Sequence, residues 1–118
     1  MQDLVVIGAG GFGREVIDVV RAINAHRSPR YHLAGVVDDG PSSVNRQRLA
    51  SLDVPYLGGR EVLADLHPAT QVAIGIGSPM VREAIARHLA ELRLRSPSLI
   101  HPTAVLGSAT SLNEGLIA

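Results

Sequence analysis

The sequence contains no cysteine and no tryptophan, and all eleven of its basic residues are arginine, so lysine is absent too. Without cysteine there are no disulfides, no thiol nucleophile and no Cys-ligated zinc. Without lysine, a Walker A phosphate loop and Schiff-base chemistry are both excluded. Aromatics are limited to Phe12, Tyr31 and Tyr56, too few for the stacking platforms on which single-stranded nucleic acid lies. Eleven acidic residues balance the eleven arginines and no basic run stands out. Electrostatic binding to nucleic acid or to an anionic membrane therefore has no support. The opening "MQDLVVIGAG" has no basic segment ahead of its apolar run, and that run is too short to span a bilayer. A soluble, cytoplasmic protein is the expectation.

What is present points to one folded domain. The 118 residues are 46% hydrophobic and 19% charged, enough to bury a single core and too apolar for intrinsic disorder. Leu4 to Ile7 is a β-branched-rich run that ends in glycines, which suits a buried strand. From Arg14 to about Ala25 the spacing changes, and Val16, Val19, Val20 and Ile23 fall on one helical face until Pro29 breaks the pattern. Tyr31 to Val37 is a second strand, closed by the turn-forming Asp38-Asp39-Gly40-Pro41. Strand, glycine loop, helix and strand make a βαβ unit with parallel strands.

The middle is less regular. "SSVNRQRLASLD" suits either a short helix or a loop. "VPYLGG" reads as a short strand, followed by a short helix from Arg60 to Leu66, and "QVAIGIG" as a further strand. Ser78 and Pro79 then stand as cap and first residue of a helix reaching to about Leu94, with Val81, Ile85, Leu89 and Leu92 inside. "SLI" is a last short strand before His101-Pro102. The expected fold class is α/β, a small Rossmann-like parallel sheet flanked by helices.

"IGAGGFGRE" fits G-x-G-x-x-G through Gly8, Gly10 and Gly13, with a strand before it and a helix after it. Glycines there let backbone approach a ligand, and the helix start offers unpaired N–H groups and a positive dipole end to phosphate. Arg14 is placed to add a forked donor. The same glycines also serve tight strand-to-helix packing, and that alternative stays open. Asp38 and Asp39, at the end of the second strand, suit ribose hydroxyls or a base edge; equally, they suit capping of the strand and its turn. Gly75, Gly77 and Ser78 end another strand before a helix. In an open parallel sheet these three loops converge beyond the carboxyl ends of the strands. No downstream domain for hydride delivery is visible, so the loop alone does not make a dehydrogenase. The five histidines, at 26, 32, 67, 88 and 101, are scattered, so no metal site is expected. His88 is expected to flank its helix's apolar stripe and His101 to serve a turn. No G-x-S-x-G anchors a serine hydrolase.

The final stretch has a period of six: Ile100, Leu106, Leu112 and Ala118 are equivalent, and "LGSATS" fits an aliphatic-Gly-x-x-small-x hexad closely. Such periods belong to β-helices, three hexads forming one triangular left-handed coil. An ordinary loop plus a terminal strand is the alternative. Hexads bury their core only by stacking, about three repeat units or more being needed, so this sequence is expected to be the front of a longer protein. The domains expected are residues 1–99, a Rossmann-like domain, and 100–118, the start of a hexapeptide-repeat left-handed β-helix.

The ordered set "IGAGGFGREV", "GVVDDGP", "VPYLGG", "VAIGIGSPMVR" and "IHPTAVLGSAT" resembles the bacterial sugar O-acyl/N-acyltransferases, among them sialic-acid O-acetyltransferases and N-acetyltransferases of amino-sugar nucleotides. The resemblance runs over essentially the whole chain. It implies an N-terminal domain that holds a nucleotide sugar, then a left-handed β-helix that forms a homotrimer and binds acetyl-CoA between subunits, with no metal. Carried over, Gly8, Gly10, Gly11, Gly13 and Arg14 match the phosphate-side loop, with Phe12 where some members carry His. Asp38 and Asp39 match the acidic pair facing the nucleoside, and Gly77, Ser78 and Arg82 a third loop closing the pocket. The family's catalytic base is a β-helix His beyond residue 118, which takes a proton from the sugar amine or hydroxyl as that group attacks the thioester. This chain then supplies no catalytic residue and alone should show no acetyl transfer. The other functional alternative is a nucleotide- or NAD-binding regulatory module without catalysis.

Overall fold

The computed structural model describes residues 1–26, 28–103 and 117. In chain order its elements are β1 (Gln2–Ile7), α1 (Gly11–His26), β2 (Tyr31–Val37), α2 (Ser43–Ser51), β3 (Tyr56–Gly58), a 3₁₀ segment (Arg60–Asp65), β4 (Gln71–Ile74) and α3 (Pro79–Glu91). The strands form one sheet in the order β3-β2-β1-β4, parallel at every pairing. The chain moves outward from β1 to β2 and β3, then crosses back to place β4 on the other side of β1. The order thus reverses between β1 and β4, and a switch point of this kind is where open parallel sheets place a ligand crevice, at the carboxyl ends of the strands.

Alternation along β1 divides the core. Leu4 and Val6 face one layer with Val16, Ile17, Val20 and Ile23 of α1 and Leu49 of α2. Val5 and Ile7 face the other with Leu63 of the 3₁₀ segment and Ile85 and Leu89 of α3. Burial on both faces explains why "LVVI" is continuously apolar, as central parallel strands are. The expected stripe of α1 is rotated slightly: Ile17 is fully buried and Val19 only partly. The helix also starts earlier than its apolar periodicity, at Gly11, so that Phe12 and Gly13 belong to its first turn.

β2 is less regular than its sequence. Leu4 pairs with Leu33 but Val5 pairs with Gly35, which leaves an extra residue in β2. Leu33 and Val36 consequently contact one layer, Ala34 and Val37 the other. Without the bulge Val36 would point to the opposite face, because side-chain direction alternates strictly along a strand.

The open segment after Pro41 is a helix. Ser42 caps α2 by accepting from the Asn45 N–H at 3.1 Å, yet Leu49 is its sole fully buried residue. Both α2 and α3 end in the same way. Asp53 (φ 56°) and Arg93 (φ 58°) take left-handed backbone, and the next N–H groups, of Val54 and Leu94, bond back to the Leu49 and Leu89 carbonyls at 3.0 and 2.9 Å. This is the Schellman termination, with a non-glycine residue at the position where glycine carries no Cβ penalty. Arg93→Gly should therefore raise folding stability by roughly 0.5–1 kcal/mol, read as a higher urea midpoint.

Three expectations at the C-terminal side need correction. α3 stops at Glu91 rather than Leu94, and Val81 is 43% exposed instead of inside, because the first turn of the helix stands clear of the sheet. "SLI" forms no strand: Leu99 makes a single parallel bridge, to Ile117, and Arg95 makes another to Gln71. Apart from residues 100–103 and Ile117, the proposed hexads at 100–118 lie outside the described residues.

Candidate functional site

Three loops meet at the carboxyl edge of the sheet. Gly8 leaves β1 with φ 113° and donates to the Val37 carbonyl at 2.8 Å. Gly75, at the end of β4, donates to the Ile7 carbonyl at 2.7 Å. The two loops are packed without room for side chains. A Cβ on Gly8 would lie 2.5 Å from the Gly75 oxygen, and one on Gly13 would lie 1.9 Å from the Gly8 oxygen.

Gly10 and Gly77 are different. A Cβ on either would meet no atom within 4 Å, and neither takes the positive φ found at Gly8, Gly35 and Gly58. Neither packing nor backbone φ among the described residues requires glycine at these two positions. Gly77 is exposed, as is Gly11, and both border the start of a helix. Gly10 has no side chain with which to cap α1, and the Ser78 side chain makes no capping bond to α3. Two helix starts, each with backbone N–H groups that its own ladder cannot satisfy, thus flank the crevice. Phe12 is 39% exposed and Met80 83% exposed, one on the first turn of each helix.

The remaining expected site residues are tied to their own chain. Asp38 Oδ2 accepts from the Ala9 N–H and Oδ1 from the Gly40 N–H, both at 2.9 Å. Asp39 Oδ1 accepts from the Arg60 N–H at 2.7 Å, and its Oδ2 lies 3.8 Å from Arg60 Nε. The turn-forming role is therefore present at both, and Asp38 also joins the second loop to the first. A carboxylate oxygen has a second lone pair for a ligand donor. Arg14 Nη1 donates to the Ala9 carbonyl at 3.2 Å and to Asn45 Oδ1 at 2.9 Å. Arg82 turns back, Nη1 donating to the carbonyls of Ile74 at 2.7 Å and Ile76 at 3.2 Å, so its guanidinium holds the end of β4.

Asn45, Tyr56 and Arg60 are the contributors that sequence reading missed. The Tyr56 hydroxyl donates to the Asp38 carbonyl at 2.7 Å. None has a diagnostic spacing; each reaches the site through tertiary packing. His101 does serve a turn, its Nδ1 accepting from the Thr103 N–H at 3.1 Å. A cavity of about 680 Å³ is lined by Ile74, Arg82, Leu89, Arg93, Arg95 and Ser96 and runs along α3; no residue of the glycine loop lines it. Among the described residues no helix is long and apolar enough to cross a membrane.

A parallel sheet wound in this order, with a glycine-rich strand-to-helix loop at its switch point, defines a Rossmann-like α/β domain. Within that class the chain belongs to the PglD N-terminal domain family, which residues 3–89 match. That agrees with the resemblance to sugar acyltransferases. Solved structures give the same fold. The acetyltransferase domain of PglB from Neisseria gonorrhoeae, in complex with acetyl coenzyme A, is 24% identical with a TM-score of 0.71, over 98% of this chain and 52% of that one. PerB from Caulobacter crescentus, in complex with CoA and GDP-perosamine, is 25% identical with a TM-score of 0.75, over 99% of this chain and 51% of that one. The chain spans about half the length of these acetyltransferases. No protein of curated function matches.

Proposed function

We propose that this chain is the nucleotide-sugar-binding N-terminal part of an acetyl-CoA-dependent sugar acetyltransferase, a cytoplasmic homotrimer whose catalytic His and CoA groove lie beyond residue 118. The observation that carries this reading is the pair Gly10 and Gly77. Both leave open space over backbone at the switch point, and neither packing nor a positive φ calls for glycine there. An outside ligand that must come close to the backbone does call for it. The neighbours add chemistry: PerB was solved with GDP-perosamine and CoA, and PglB with acetyl coenzyme A.

In this reading the loop of Gly8, Gly10, Gly11 and Gly13 takes the diphosphate with Arg14 at the start of α1, Gly8 and Gly13 packing the loop and Gly10 and Gly11 facing the ligand, with Phe12 exposed beside it. Asp38 and Asp39 face the nucleoside, and Gly77, Ser78 and Arg82 form the third wall. Residues 1–99 are the binding domain, and 100–118 open the β-helix. The parallel pairing of Leu99 with Ile117, three hexads further on, supports that division, since one triangular coil returns the chain to the same edge after three hexads.

Calorimetric titration of the chain with UDP-sugars, GDP-sugars, NAD and acetyl-CoA tests the reading. Saturable binding of a nucleotide sugar is expected, with weak or no binding of acetyl-CoA. Tight NAD binding with no response to nucleotide sugars would instead make the chain a nucleotide-binding regulatory module. Acetyl transfer by the 118-residue chain alone would overturn the placement of the catalytic residue.

A further inference from the structure

α2 is the one helix whose presence the core does little to explain: Leu49 is its only buried residue. Its contacts lead instead to the glycine loop. Arg14 Nη1 bonds Asn45 Oδ1 at 2.9 Å and the Ala9 carbonyl at 3.2 Å. The Ala9 N–H bonds Asp38 Oδ2, and the Asp38 carbonyl accepts from the Tyr56 hydroxyl. The Arg46 guanidinium lies 5.0 Å from the Tyr56 ring centroid, and Arg46 is the neighbour of Asn45 in α2. The contacts close a ring through α1, the loops after β1 and β2, β3 and α2. Asn45 is itself fixed, because its N–H is the one that Ser42 caps.

The geometry points to Asn45 as a positioning residue that holds Arg14 for the phosphate groups of the ligand. A guanidinium carries only donors, so the Asn45 amide must turn its oxygen toward Arg14. Both protein bonds use Nη1. Nη2 lies beside the first turn of α1, 3.9 Å from where a Cβ on Gly11 would sit, and so next to the helix start that offers backbone N–H groups to an anion. Arginine has long, rotamer-rich freedom to lose on binding; a fork already held in place loses less of it. Asn45 does this from α2, without touching the ligand.

The inference rests on the nucleotide-sugar reading, and titration with GDP and UDP on four proteins separates the two. These are the wild type, Asn45→Ala, Arg14→Ala and the double variant, each with a melting curve. Alanine favours helix over asparagine, so Asn45→Ala should fold. Expected results are a loss of about three- to tenfold in affinity for Asn45→Ala and about tenfold or more for Arg14→Ala. The double variant should bind no worse than Arg14→Ala. That non-additivity is what a purely structural role of Asn45 would not produce. Unchanged affinity in Asn45→Ala while Arg14→Ala weakens, or an equal loss in both backgrounds, overturns the positioning role and leaves the nucleotide reading standing. Failure of the wild type to bind either nucleotide overturns both.

Discussion

Gly13→Ala should destabilise the fold by about 3 kcal/mol or more, at the upper end of overpacking effects, out of a total of about 5–15 kcal/mol for a domain of this kind. The added methyl would lie 1.9 Å from the Gly8 oxygen and 2.7 Å from the Gly8 carbonyl carbon, and both neighbours are backbone atoms that cannot rotate away. Relief requires α1 to move off β1, but Val16, Ile17 and Val20 hold it there, each with no exposed surface. Nor does Gly75 leave room, since its own Cβ position is 2.7 Å from Gly13 Cα. Urea unfolding read by far-ultraviolet circular dichroism checks the prediction. A midpoint equal to that of the wild type would mean that helix and strand are further apart than described.

This result would also settle how one motif divides its labour. The glycine loop has two uses, ligand approach and tight packing, and spacing alone cannot separate them. The structure assigns packing to Gly8 and Gly13 and leaves Gly10 unexplained by packing. Other features were legible for a clear reason. β1, α1 and β2 emerged from periodicity because the two faces of the sheet and one face of the helix are buried, and burial writes its period into the sequence. α2 did not, because a helix with one buried residue has no such period. The bulge in β2 announced itself only as Gly35 within an apolar run, a signal shared with many glycines that do something else. The helix ends at Asp53 and Arg93 carry no glycine, so composition hid them. Asn45 and Tyr56 reach the site from α2 and β3 through contacts that no local pattern encodes, so Arg14 is legible in the motif and its holder is not.

The second large effect falls on binding with little change in folding. Gly10→Ala places a methyl in space that is empty in the protein, at a residue whose carbonyl accepts the Arg14 N–H at 3.0 Å as α1 begins. Alanine caps a helix less well than glycine, so a stability cost of up to about 1 kcal/mol is expected. Gly77→Ala precedes the cap of α3 in backbone that alanine tolerates, and should be neutral or stabilising by about 0.4–1 kcal/mol. A diphosphate that approaches the backbone at the crevice must share that space with the methyl. Either variant should then lose at least about tenfold in affinity for a nucleotide sugar, equivalent to about 1.4 kcal/mol. The comparison with Gly13→Ala is what gives the measurement its force: one glycine fails in the urea curve, the others chiefly in the titration. Should Gly10→Ala bind as tightly as the wild type while folding normally, the open space over the loop has no ligand in it, and the reading of this crevice as the nucleotide-sugar site falls with it.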